Sequence, residues 1–189
     1  MRGSLVMALP LALAACATSP TLPPAQDAWF TALSSLCGHA YEGSVREAPA
    51  GDTTFAGKVL VMHVRACRDD EVRIPFHVGE DRSRTWVVTR TDRGLRLKHD
   101  HRHEDGTEDA ITQYGGDTRG AGSASVQEFL ADAHTIELIP AAATNIWTME
   151  IEPERAFAYA LRREGTDRRF RIEFDLTRPV PAPPAPWGH

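Results

Sequence analysis

The sequence predicts a mainly β domain, an antiparallel barrel or sandwich preceded by one short helix. Three observations carry this reading. From residue 39 onward apolar residues recur with period two, Gly- and Asp-containing turn signals separate the runs at short intervals, and a single segment of helical period comes before them.

In chain order, the helix rests on Trp29, Phe30, Leu33, Leu36 and Cys37, with Gly38 where a left-handed cap belongs. Residues 59–65 (VLVMHVR) form a β-branched and apolar run. Val72, Ile74, Phe76 and Val78 then alternate with Arg73, Pro75 and His77. Residues 85–91 read as a strand, and Gly94 turns into a further run holding Leu95 and Leu97. Asp105-Gly106 is a hairpin signal, with residues 107–114 returning. The segment 115–125, GGDTRGAGSAS, reads as a flexible loop. Its glycines lack the Gly-Lys-Ser/Thr ending of a phosphate cradle. Phe157, Tyr159 and Leu161 alternate, EGTD turns, and Phe170, Ile172, Phe174 and Leu176 alternate against Arg171, Glu173 and Asp175. Six to nine strands in sequential hairpins favour a barrel over a sandwich. Pro75, which cannot donate to a ladder, is expected at an edge or a bulge.

The ends differ from this body. Residues 1–16, MRGSLVMALPLALAAC, place Arg2 before an apolar stretch too short to span a bilayer, then small residues before a cysteine. Leu13-Ala14-Ala15-Cys16 resembles the lipobox of bacterial lipoproteins. The resemblance implies acylation of Cys16, palmitate being one such chain, with removal of residues 1–15 as a signal peptide. Multiple acyl chains would anchor the protein stably. Ala17, rather than an acid after the cysteine, implies sorting to the outer membrane, facing the periplasm. The expected organisation is a signal peptide at 1–15, a Pro-rich spacer at 16–25, one β domain at 26–178 and a Pro-rich disordered tail at 179–189.

Composition narrows the partners. The formal charge of -5 becomes about -6 without residues 1–15, and this acidic balance argues against nucleic acid. With Cys16 assigned to lipid, Cys37 and Cys67 remain. In an oxidising compartment they are expected to pair, which would stabilise the fold by about 3–4 kcal/mol on the chain-entropy model.

The stretches GKVLVMHVRAC, VRIPFHVGEDRSRTW and LKHDHRHEDG resemble a group of proteobacterial lipoproteins to which no activity is assigned. More loosely, a short helix followed by sequential hairpins is similar to calycin-type barrels. That likeness implies an interior for a small apolar ligand or haem. The Gly-x-Trp of many lipocalins is absent, with Gly38-His-Ala-Tyr-Glu-Gly43 in its place.

Two clusters could carry chemistry. On a strand, His99, His101 and His103 share one face with Leu95 and Leu97. Adjacent same-face imidazoles suit zinc or copper, with His63 or His77 as a further ligand. The third position stretches the set over roughly 13 Å, too far for one ion. The alternative is a wet strand end near a turn, with Asp100, Arg102 and Glu104 marking a solvated face. The second cluster, His63, Arg65, Arg73 and His77, could meet an anionic head group, or could be a half-exposed sheet with cross-strand pairs. The arginines at 162, 163, 168, 169 and 171 surround the EGTD turn, either toward anionic lipid or as a solvated hairpin tip. No Gly-x-Ser-x-Gly, Ser-x-x-Lys or His-Glu-x-x-His occurs, so a hydrolytic enzyme ranks last. The expected function is a lipid-anchored envelope module for a small ligand or metal, and its competitor is a structural lipoprotein that presents its surface to protein partners.

Overall fold

A computed structural model describes residues 20–188, so the expected signal peptide and Cys16 lie outside the described residues. Helix α1 (Pro24–Ser34) opens on a proline, whose missing N–H costs nothing in a first turn, and buries Trp29, Phe30 and Leu33. Past its end, Gly38 adopts φ +83° and its N–H donates to the Val64 carbonyl at 2.7 Å, which turns the chain into the sheet.

Eleven strands follow: β1 (Ala40–Glu47), β2 (Leu60–His63), β3 (Ala66–Cys67), β4 (Glu71–Val78), β5 (Asp81–Thr91), β6 (Gly94–His101), β7 (Tyr114–Asp117), β8 (Val126–Leu130), β9 (Asn145–Glu152), β10 (Ala156–Arg163) and β11 (Arg169–Val180). Around the sheet they run β7-β6-β5-β4-β2-β1-β11-β10-β9-β8, and the short β3 pairs with β4. All pairings are antiparallel, and the first strand meets the last. The ring is completed at β7 and β8 by a single bridge, Thr118 to Phe129, with flanking bonds from the Arg119 N–H to Glu128 and from the Asp132 N–H to Gly115. The result is a nearly closed antiparallel barrel, the architecture favoured over a sandwich.

Alternation fills the interior. Leu60, Met62, Val72, Ile74, Phe76, Trp86, Val88, Leu95, Leu97, Phe157, Ile172 and Phe174 are all buried in one core. Helix α1 lies across one end of this barrel. Trp29 meets Phe129 edge-on at 6.3 Å, and Gln26 donates to Thr118 Oγ1 and to the Gly120 carbonyl. The Arg90 guanidinium stacks 4.4 Å above Phe30 and pairs with Asp27. Cys37 and Cys67 form the expected disulfide, which ties the segment after α1 to β3.

Several expectations are corrected. The strand returning from the Asp105-Gly106 turn is β7, whereas most of 107–114 crosses one end of the barrel as a loop. The flexible loop expected at 115–125 contains most of β7, because Gly115 and Gly116 allow close strand approach. A Cβ there would sit 2.1 Å from the Leu97 and Leu130 carbonyl oxygens respectively. A second short helix, α2 (Ala133–Leu138), is capped by Asp132, which accepts from the Thr135 N–H. Pro75 sits at an interruption of the ladder, where residues 63–65 stand opposite 74–75. It occupies the point where β4 exchanges partner β2 for β3, and the residue after β2 bonds instead to the His39 carbonyl.

The C-terminal segment is also different from the expected disordered tail. Beyond β11, residues 181–188 run along the outer face of β2, β4 and β5. Pro183 and Pro184 border Val61, His77 and Arg82, and Pro186 borders Arg65, Arg73, Pro75 and Thr85. The Trp187 N–H donates to the Arg82 carbonyl, and Arg82 donates to the Ala185 carbonyl. Polyproline geometry leaves its carbonyls free, so an extended segment can dock without joining the ladder. Asp100, on the face expected to be solvated, is only 2% exposed, with Arg102 at 3.1 Å and Arg73 at 3.5 Å.

Candidate functional site

Opposite helix α1, the barrel end is formed by the β1–β2 loop (48–59), the loop after β6, the segment from α2 to β9, and the β10–β11 hairpin. Behind them lies a cavity of about 390 Å³, within the ~300–1,000 Å³ typical of small-molecule sites. Its walls are inward positions on five strands. Trp86 comes from β5, His99 and His101 from β6, Tyr114 from β7, Trp147 from β9 and Tyr159 from β10. Phe55 reaches in from the β1–β2 loop and packs against Phe76 at 5.9 Å and Phe170 at 5.5 Å.

A polar network runs through this aromatic wall. The Nδ1 of His99 lies 3.0 Å from the Tyr114 carbonyl, which can only accept, so Nδ1 carries the proton. Its Nε2 therefore accepts from the Tyr159 hydroxyl at 2.5 Å. The His99 ring stacks on Tyr114 at 4.4 Å, and the Tyr114 hydroxyl lies 3.1 Å from His101 Nε2. Desolvation governs the protonation of all four groups. It lowers His99 to about 3 and His101 to about 4, the latter helped by the Arg84 guanidinium. It also raises the Tyr114 phenol to about 12 and pushes that of Tyr159 well above its ordinary value. Both imidazoles and both phenols are neutral near pH 7, so the wall offers fixed dipoles with no charge.

Charge appears only at the mouth, where Arg84, Arg163, Arg168, Asp52 and Asp109 line the opening. The two acids are already engaged by backbone: Asp52 accepts from the Phe55 N–H and Asp109 from the Ile111 N–H. Arg84 pairs with Asp81.

The residues expected to act chemically separate into three places. His99 and His101 share the interior face, as their spacing implied. His103 lies beyond β6, exposed near the Asp105-Gly106 turn. Both His99 nitrogens are engaged, and among the described residues no group of three His, Cys, Asp or Glu is placed to hold a metal ion. His63, Arg65, Arg73 and His77 gather on the outer face. Burial lowers both histidines, Arg65 adding to the effect at His63 and Arg82 at His77. Arg65, Arg73 and His77 border the C-terminal segment and do not line the cavity. Trp86, Tyr114, Trp147 and Tyr159 were not foreseen as site residues. Their signal is aromatic residues at inward parity on their strands.

Comparison with protein families, curated proteins and solved structures finds no match for the chain. Among the described residues no helix is long and apolar enough to cross a membrane.

Proposed function

We propose that this protein is a lipid-anchored envelope module that holds a small, largely apolar or aromatic molecule inside its barrel. The observation that carries the binding role is the cavity behind the loop end, with aromatic walls and neutral, oriented hydrogen-bonding groups. Such a lining favours ring systems through stacking and fixes their orientation through a few polar contacts. Both His99 nitrogens are committed to neutral partners, and the Tyr114 and Tyr159 phenols are held away from ionisation.

The anchoring role rests on the Leu-Ala-Ala-Cys pattern alone and has its own test. Labelled palmitate is expected to enter the chain and to be lost on Cys16→Ser; label that persists in the variant would overturn the anchor. For the binding role, the protein is isolated from its native membranes, and its bound small molecules are extracted and identified by mass spectrometry. A near-stoichiometric aromatic or amphiphilic compound is the expected result. Recovery of none, together with failure of apolar fluorophores to enter the barrel, would overturn it.

A further inference from the structure

Arg163 and Arg168 face each other across the β10–β11 hairpin, where the Arg163 N–H donates to the Arg168 carbonyl at 3.0 Å. Both side chains line the cavity mouth. Like charges directly opposite on one sheet face repel, and a sheet normally relieves this with acidic neighbours. The outward arginines of this hairpin follow that rule: Arg162 pairs with Glu128 and Glu164, Arg169 with Glu47, and Arg171 with Glu150. The inward pair does not. Among the described residues neither Arg163 nor Arg168 has a carboxylate within ion-pair distance, and the only side-chain partner of Arg163 is neutral, Asn145 Oδ1 at 2.8 Å. Of the two acids at the mouth, each is held in a turn by a backbone N–H.

We propose that Arg163 and Arg168 form the head-group site of the cavity, so that its ligand is an anionic amphiphile with an aromatic or apolar body inside and a carboxylate, sulfonate or similar oxyanion at the mouth. The inference rests on the cavity being a binding site and adds the ligand's charge. Guanidinium forks suit planar or trigonal oxyanions. The aromatic wall below supplies the surface for the body of the molecule.

A matched pair of fluorophores separates the two levels of the argument. N-phenyl-1-naphthylamine is neutral, and 1-anilinonaphthalene-8-sulfonate is the same skeleton with a sulfonate. Both are titrated into the purified full chain, into Arg163→Gln/Arg168→Gln, and into Thr54→Trp, which fills the mouth from an exposed loop position. The sulfonate is expected to bind at least about tenfold tighter than its neutral partner. That preference should vanish in the double glutamine variant, while affinity for the neutral probe is unchanged. Equal affinity of the two probes for the unmodified chain, or a preference that survives in the double variant, would overturn the head-group site and leave the cavity standing. If Thr54→Trp leaves both probes bound as before, or if neither binds the unmodified chain, the cavity reading itself fails and takes the head-group site with it.

Discussion

His99 and His101 are neutral because the interior cannot solvate their charged forms, and this has a calculable effect on stability. In the unfolded chain both titrate near 6.5, whereas in the fold they are held near 3 and 4. Between these values the unfolded state binds more protons than the native one, so stability falls as pH falls. Little is lost above pH 7. At pH 5 each histidine is expected to cost about 2 kcal/mol relative to pH 8. Urea melts from pH 8 to 5 check this, and His101→Gln should make the decline clearly shallower. The Tyr159 hydroxyl gives a second measure of the network. Tyr159→Phe leaves His99 Nε2 buried without a donor and is expected to cost about 1–3 kcal/mol at pH 8. An unchanged midpoint would mean that the ring finds another partner.

At the scale of elements, strands with one face on the core were legible because a period of two is written directly in residues such as Val72, Ile74, Phe76 and Val78. The helix was legible from Trp29, Phe30 and Leu33. What escaped reading had no such pattern. Strand β7 is half glycine, so it carries no apolar periodicity, and its purpose is proximity. Helix α2 has six residues and little apolar stripe, and it depends on the Asp132 cap. The proline-rich C-terminus has the composition of a solvated tail, and only the folded outer face, with Pro75, Thr85 and His77 in place, gives it something to pack against. Two of the six wall residues could be anticipated, His99 and His101 on an inward face. The aromatic wall could not, because its members come from strands far apart in sequence. Removing residues 181–189 is expected to lower stability by about 1–3 kcal/mol, chiefly through exposure of the surface that Pro186 and Trp187 cover. Hydrogen exchange should then rise along the outer faces of β4 and β5 more than in β10. Unchanged exchange there would show that the segment contributes no lasting contact.

Across the whole molecule, the barrel is weakest where β7 meets β8, since one bridge and a few flanking bonds replace a ladder. Backbone amides at Arg119 and Asp132 are expected to exchange faster than those of β10, which is paired along its length on both sides. Strand β7, pressed against β6 on one side and the end of β8 on the other, explains an expected contrast among glycines. Gly115→Ala and Gly116→Ala place a methyl group against a carbonyl oxygen and should cost more than about 3 kcal/mol. Gly120→Ala meets open space and should change stability by less than about 0.5 kcal/mol. Equal effects at 115 and 120 would contradict the tight strand approach. Helix α1 adds a sense of direction to the cylinder. The chain joins the core from Leu22 through helix α1, at the blocked end, while the opening with its two arginines lies at the other end. Whatever precedes that helix in the chain therefore joins the barrel at the end away from the cavity, and a ligand can come and go without passing the N-terminal segment.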